Sequence, residues 1–324
     1  MRVSFYVEDQ FLLRYIGCST AARTLYRALS GSAGIEMDWK DGTGEADLVH
    51  FHTFGPLALF KRWRAPGVSV LTAHSTPRIN DGNIVLSQRV NRLYPTIYAS
   101  FDHIITISGA CHHEIRTMVP ETPSTLIPNG VNREQFRPDR GLGAEFREQA
   151  GIGEEEHVVL SVAQMTPRKG IYDFMELASR NPETRFVWVG GLPYGVFSQD
   201  YVRISQMRRR AGPNVLFTGY VDRIEAPYAA ADIFFMGSRA ETFGLVILEA
   251  LSSGLPVIAR NIPEFREIFG DRVLYFSNLE EADVLLRDQA TLAHYRAAAR
   301  ASTLPFDIRS VADRHADLYR SLCS

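Results

Sequence analysis

Two glutamates eight positions apart, Glu241 and Glu249, bracket the apolar run Phe243-Gly244-Leu245-Val246-Ile247-Leu248. A helix is expected from Val246 to Ser253, stopped by Gly254 and Pro256, with the β-branched run after them reading as a strand. The start of that helix, near Phe243-Gly244, offers backbone N–H groups and the positive end of a helix dipole. Both suit a diphosphate, and glycine permits close backbone approach. Carboxylates accept hydrogen bonds from neighbouring hydroxyls, so one glutamate suits sugar hydroxyls and the other ribose hydroxyls. The same spacing also fits one capping glutamate and one exposed helix glutamate. Upstream, the strand Val158–Ala163 runs into Gln164-Met165-Thr166-Pro167-Arg168-Lys169-Gly170. Two adjacent cations at a strand's C-terminal end can neutralise a diphosphate and stabilise charge developing on it as a leaving group. A solvated Arg-Lys pair is the alternative.

Histidines are the other candidates. His74 follows the strand read at Val68–Thr72 and so falls where doubly wound sheets bind ligands, though a lone histidine is also often structural. His50 and His52 lie two apart at another strand end and share one face. No third ligand accompanies them, so acceptor lining or burial is expected and no metal. Gly17 follows the first strand in Arg14-Tyr15-Ile16-Gly17-Cys18-Ser19-Thr20 and opens a helix, where a close approach to a ligand and a plain turn are both open readings.

Short β-rich runs alternate with longer helical patterns throughout, the signature of parallel sheets covered by helices. Strands are read at Val3–Val7, Leu48–His52, Val68–Thr72 and His103–Ile107, with a helix at Ser19–Leu29. Pro128-Asn129-Gly130-Val131-Asn132 breaks this series and marks an interdomain connection running to about Pro138. A second series follows, with strands at Val158–Ala163, Phe186–Val189, Val215–Thr218, Ile233–Phe235 and Pro256–Ala259 and a helix at Ile171–Ser179. A last helical pattern covers Val311–Leu322. Two such sheets would bind ligands beyond the carboxyl ends of their strands.

The chain has 324 residues, 45% of them hydrophobic, enough for two cores. A formal charge of -2 argues against a dedicated nucleic-acid binder. Cys18, Cys111 and Cys323 are scattered and odd in number, so neither a disulfide framework nor a zinc site is expected, and a reducing, cytoplasmic compartment fits. The N-terminus lacks the apolar core of a signal peptide, and no run approaches the roughly 20 apolar residues of a membrane span.

Together, the Glu241/Glu249 spacing, Phe243-Gly244-Leu245, the apolar helix and the Gly254-Leu255-Pro256 strand entry resemble the E-x7-E signature of retaining GT-B glycosyltransferases. That large family, glycosyltransferase family 4-like, includes sucrose-phosphate and glycogen synthases. Further segments look like bacterial 1,2-diacylglycerol 3-alpha-glucosyltransferases: Gly17-Cys18-Ser19-Thr20-Ala21, Ala73-His74-Ser75-Thr76, Phe186-Val187-Trp188-Val189-Gly190, Phe217-Thr218-Gly219-Tyr220-Val221 and Arg260-Asn261-Ile262-Pro263. The resemblance implies an α/β GT-B fold, two Rossmann-like doubly wound parallel-sheet domains facing a central cleft. Residues 1–132 would form the acceptor domain, 133–305 the nucleotide-sugar donor domain, and 306–324 a helix packing back on the first. It also implies roles: Arg168, Lys169, Glu241 and His74 at the reacting sugar and its diphosphate; Gly17, Gly190, Tyr220, Val221, Phe243, Gly244, Leu245 and Glu249 with Glu241 on the donor; Ser19, His52 and Ser75 on the acceptor side. The chain departs from the family's commonest form where Gln164 replaces an arginine. It departs again at Pro77-Arg78-Ile79-Asn80-Asp81, where acidic and aromatic residues would be expected, and this bears on the acceptor.

The implied activity is transfer of glucose or galactose from a UDP-sugar to a membrane lipid such as diacylglycerol, with retention and without a protein nucleophile. The donor is a substrate, and no cofactor is implied. Leu57-Ala58-Leu59-Phe60-Lys61-Arg62-Trp63-Arg64 combines apolar, aromatic and basic residues, as an interfacial segment on the inner face of the plasma membrane would. A buried helix with a snorkelling basic edge fits the same composition. The alternatives are a soluble sugar or sugar-phosphate acceptor and a non-catalytic sugar-nucleotide sensor. A glycoside hydrolase would leave the phosphate-binding features unexplained, and a nicotinamide dehydrogenase would need the missing G-x-G-x-x-G.

Overall fold

The computed structural model describes residues 1–8, 17–39, 46–80, 89, 91–193 and 195–324. It forms two compact units, Met1–Gly130 with Phe306–Ser324, and Val131–Pro305. Each is built on a six-stranded sheet whose named strands pair in parallel.

The first sheet comprises β1 (Arg2–Tyr6), β2 (Glu36–Trp39), β3 (Leu48–Phe51), β4 (Val68–Ala73), β5 (His103–Thr106) and β6 (Ser124–Leu126), in the order β2-β1-β3-β4-β5-β6. Side chains alternate between its faces, as strand geometry requires. Val3, Phe5, Leu48, Val70 and Ile105 pack on one side with Leu25, Leu29, Val311 and Tyr319 from the helices Gly17–Leu29 and Ile308–Cys323. Val49, Phe51, Leu71 and Ile104 pack on the other with Ala58, Tyr94, Tyr98 and Ile115. Burial on both faces explains why these strands read as continuous apolar runs.

The second sheet comprises β7 (Val158–Val162), β8 (Arg185–Val189), β9 (Val215–Gly219), β10 (Ile233–Met236), β11 (Val257–Arg260) and β12 (Leu274–Phe276), in the order β12-β11-β10-β7-β8-β9. The winding direction reverses between β7 and β10. The loops leaving those two strands therefore lie side by side at the sheet's carboxyl edge, the switch point where such folds place ligands. β2, β6 and β12 are not among the strands expected from the sequence; they are short edge strands. Two have three residues each, and β2 carries Glu36 and Asp38 on a partly exposed edge.

Gly190, just beyond β8, sits at φ +122°, and a Cβ there would run into the Ala163 carbonyl oxygen at the end of β7. Its N–H donates to the Gly219 carbonyl at 2.7 Å. Gly190→Ala therefore combines backbone strain with overpacking and should destabilise the second unit by about 3 kcal/mol or more. Chemical denaturation of the variant measures this, and an unchanged midpoint would contradict the assignment.

Candidate functional site

Two loops meet at the switch point of the second sheet. The first leaves β7, turns through a short 3-10 segment Pro167–Lys169, and ends at Gly170 with φ +82°, from which the helix Ile171–Arg180 starts. The second leaves β10 as Gly237-Ser238-Arg239-Ala240-Glu241 and runs on to Gly244. The loops are locked together. The Arg239 N–H donates to the Arg168 carbonyl at 2.9 Å, and Arg168 Nη1 donates to the Ala240 carbonyl at 2.8 Å. A Cβ on Gly170 would lie 2.5 Å from the Gly237 carbonyl oxygen, so only glycine lets the backbones approach this closely.

This locking brings Lys169 Nζ onto Glu241 Oε1 as a short ion pair, the two side chains 17% and 10% exposed. Burial pushes the Glu241 carboxyl up, but Lys169 and then Arg168 outweigh it and hold the group below its ordinary range. Burial lowers the Lys169 ammonium, with Glu241 opposing the shift and Arg168 adding to it. The two form an ion pair held in place by the loops, with the Arg168 guanidinium adding cationic charge beside it.

Glu249 lies in the helix Leu245–Ser252, whose N-cap is Gly244 at φ +88° with no side-chain capping bond. A Cβ on Gly244 would come 2.7 Å from Phe265 Cε1. Glu249 is 5% exposed and its Oε2 accepts the Tyr228 hydroxyl at 2.7 Å. Burial raises its carboxyl to about 7, with the Tyr228 bond opposing the shift. Neither glutamate caps the helix and neither is exposed, so the alternative of one capping and one solvated glutamate does not describe them.

Other donor-side candidates are distributed differently. Gly190 fills a close backbone approach between strand ends. Tyr220 and Val221 follow β9, with Tyr220 43% exposed and Val221 half-buried. Leu245 begins the helix and is half-buried. Phe243 departs from the reading of a donor-lining side chain: it is 2% exposed and its ring packs 6.2 Å from that of Phe269, so only its backbone is at the helix start.

The first unit gathers the histidines. His74 follows β4, is half-buried, and its Nε2 lies 3.0 Å from His52 Nδ1; its Nδ1 makes no hydrogen bond among the described residues. His52 is 3% exposed and therefore backs His74. The rings of His50 and His52 are 4.2 Å apart, as their shared face requires. Both nitrogens of His50 are engaged, Nδ1 with the Tyr319 hydroxyl and Nε2 with Thr72 Oγ1, each at 2.6 Å. Among the described residues no group of three or more potential ligands could hold a metal. Ser75 Oγ meets the Tyr94 hydroxyl at 2.8 Å. Ser19, read as an acceptor contact, is 1% exposed in the helix Gly17–Leu29, where burial keeps it from a ligand in this conformation. Gly17 is exposed, and a Cβ there would meet nothing within 4 Å among the described residues. Arg14, Tyr15 and Ile16 before it, and Asp81, lie outside the described residues.

Burial lowers His50 and His52 well below the ordinary range and brings His74 and His315 to about 4. The folded protein then binds fewer protons than the unfolded chain below pH 6.5. The histidines' contribution to stability should be level above that pH and fall as pH drops toward about 4, partly opposed by Glu249, which holds a proton in the folded protein up to about pH 7. At pH 5 the 4%-exposed His315 alone should remove about 2 kcal/mol. Urea unfolding at pH 7.5 and 5.0 tests this, with His315→Gln expected to flatten part of the slope.

Several residues at these sites carry no local signal in the sequence. Tyr228 on Glu249, Tyr319 and His315 beside His50, and Asp173 and Arg260 beneath the loops all act through contacts made by the fold. Apart from Arg260, which opens the Arg260-Asn261-Ile262-Pro263 segment, none belongs to a local motif.

Two parallel doubly wound sheets, with a largely buried Lys–Glu pair and a helix start free of a side-chain cap at the switch point of the second, form an arrangement of the kind that receives phosphate-bearing ligands. The family model described as "Glycosyl transferases group 1" matches residues 144–292, and "Glycosyltransferase Family 4" matches residues 17–135. The chain belongs to glycosyltransferase family 4, retaining glycosyltransferases of GT-B fold. It is 28% identical over 290 residues to the alpha-galactosylglucosyldiacylglycerol synthase of Streptococcus pneumoniae, covering 86% of this chain and 77% of that protein. It is 29% identical over 272 residues to the processive diacylglycerol alpha-glucosyltransferase of Acholeplasma laidlawii, covering 82% and 80%. The fold matches that of Anabaena Alr3699/HepE in complex with UDP and glucose at a TM-score of 0.81, with 19% identity and 99% and 100% coverage. It matches sucrose-phosphate synthase from Thermosynechococcus elongatus at 0.82, with 20% identity and 99% and 98% coverage.

Proposed function

We propose that this chain transfers a hexose, glucose or galactose, from a UDP-sugar to a lipid hydroxyl such as that of diacylglycerol. The observation that carries the reading is the Lys169–Glu241 pair, held at the switch point on the loop that leads to the Gly244 helix start. An ammonium has three N–H donors, so Lys169 can keep Glu241 and still offer two to diphosphate oxygens, with Arg168 adding charge. The helix start takes a phosphate through its amides. Glu241, ionised, accepts from sugar hydroxyls, and Glu249 accepts from the ribose.

The acceptor oxygen forms its bond to the anomeric carbon on the side from which the diphosphate leaves. The departing oxygen takes the acceptor's proton. Charge that grows on the diphosphate meets Lys169 and Arg168, so no protein nucleophile is required. His74, neutral at pH 7, serves by hydrogen bonding through Nδ1 to sugar or acceptor. His52 fixes its ring, and Gly17 leaves room for close approach.

UDP as the carrier is supported by the Anabaena structure, which contains UDP and glucose. A lipid acceptor is supported by the names of the two relatives, both diacylglycerol enzymes. It gains further support from the helix Pro56–Arg64, which exposes Leu57, Phe60 and Trp63 beside Lys61, Arg62 and Arg64. An apolar and basic face of this kind suits an anionic bilayer surface. Among the described residues no helix is long and apolar enough to cross a membrane, so the contact would be peripheral.

Release of UDP from UDP-glucose and UDP-galactose should be measured against detergent-dispersed diacylglycerol, anionic vesicles containing it, and soluble sugars and sugar phosphates. Release that depends on the lipid is expected. Release with a soluble acceptor and none with lipid would overturn the lipid reading, and tight UDP-sugar binding without turnover on any acceptor would favour a sensor.

A further inference from the structure

Beneath the Lys169–Glu241 pair lies a second set of charges that touches neither side chain. Asp173, in the first turn of the helix that the Lys169 loop launches, accepts Arg260 Nη2 at 2.7 Å and Arg239 Nη2 at 3.1 and 3.2 Å. Arg260, at the end of β11, also donates from Nε to the Gly237 carbonyl at 3.0 Å, where the Glu241 loop leaves β10. Its guanidinium lies over the Phe276 ring at 4.9 Å. The Arg260 and Asp173 side chains are 15% and 11% exposed, whereas Arg239 is 59% exposed.

Arg260 thus has one prong on each loop: Nη2 reaches the lysine loop's helix through Asp173, and Nε reaches the glutamate loop through Gly237. A rigid planar fork can hold two such acceptors at once, while a single ammonium nitrogen cannot span them in the same geometry. Arg239 closes the triangle, since its side chain meets Asp173 while its backbone N–H meets the Arg168 carbonyl.

We propose that Arg260 and Asp173 are positioning residues that set the spacing of Lys169 and Glu241 for turnover, a role that rests on reading that pair as the reacting-site charges. They act through the loops and contact no substrate. Their loss should leave the Gly244 helix start and Glu249 intact, so it should separate turnover from donor binding.

The test compares Arg260→Lys, Asp173→Asn and Lys169→Ala with the unaltered protein. Calorimetry with UDP counts competent sites and gives affinity; UDP release at saturating donor gives kcat per competent site. Arg260→Lys keeps the charge opposite Asp173 but loses the fork, whereas Asp173→Asn leaves two guanidiniums without their carboxylate and is the variant more prone to misfold. In Arg260→Lys, kcat per UDP-binding site should fall about tenfold to a hundredfold, the scale of a misplacement near one ångström. UDP affinity and donor KM should stay within about twofold, because uniform binding is untouched. Unaltered kcat per site in Arg260→Lys, with only melting temperature or the number of competent sites reduced, would overturn the proposal while a crippled Lys169→Ala left the site reading standing. Normal turnover in Lys169→Ala would instead remove the site reading on which the proposal rests.

Discussion

Lys169→Ala should lower turnover at saturating donor by about a hundredfold or more, the usual loss when a preorganised group aimed at developing charge is removed. The effect should fall on kcat, because the charge Lys169 meets is larger in the transition state than in the bound donor. The geometry supports a large loss. The ammonium is held at Glu241 by a loop whose turn needs Gly170 at positive φ, so it reorganises little when the diphosphate begins to leave. Removing Lys169 also strips Glu241 of the partner that holds its carboxyl down, leaving burial to push it up. Lys169→Gln, which can still donate to Glu241, separates the two consequences: a fold as stable as the unaltered protein with turnover as low as alanine's would assign the loss to missing charge. Stopped-time UDP release with calorimetric UDP affinity measures both variants, and turnover near the unaltered value would place the reaction elsewhere.

Glu249→Gln should weaken donor binding about tenfold to a hundredfold and leave turnover at saturation little changed, since hydrogen bonds to a charged acceptor contribute about 1.5–3 kcal/mol. The amide oxygen can still accept the Tyr228 hydroxyl, so the packing around it should survive. A pH signature accompanies the effect. With its carboxyl raised to about 7, Glu249 carries a proton in much of the free protein at and below neutrality. If the ionised form binds the ribose, donor affinity should rise from pH 5.5 to about 7 and level off above it, each unit below costing nearly tenfold. The glutamine variant should lose this slope. Calorimetry of UDP at several pH values reads both effects, and an unchanged affinity with an unchanged slope would remove Glu249 from the donor site.

The contributions of local and non-local information differ residue by residue. Strands such as Val68–Ala73 and Val158–Val162 announce themselves because both faces are buried and their sequences are unbroken apolar runs. Lys169 could be placed beyond a strand end for the same reason, and Glu241 ahead of the helix its apolar run announces. Their pairing could not be placed, because the residues are 72 positions apart and meet only where β7 lies beside β10. His50 and His52 sharing a face follows from a two-residue period, whereas Tyr319, 269 positions from His50, reaches it only once the last helix has packed on the first sheet. Ser19 and Phe243 show the converse. Their neighbourhoods in sequence point to ligand contact, yet burial in the helix Gly17–Leu29 and packing on Phe269 take their side chains into the interior. Arg260 is visible in sequence only as part of the Arg260-Asn261-Ile262-Pro263 segment, and its link between the loops appears only with Gly237 and Asp173 on its two prongs.

The decisive measurement is the anomeric configuration and the carrier of the sugar moved from UDP-glucose in the presence of dispersed diacylglycerol, read by proton NMR of the extracted lipid. One UDP should be released for each α-linked glucosyl lipid formed, and both should disappear together in Lys169→Ala. A β-linked product, a sugar that never enters the lipid fraction, or lipid glucosylation undiminished in Lys169→Ala would contradict donor cleavage at the Lys169–Glu241 site with transfer to a lipid.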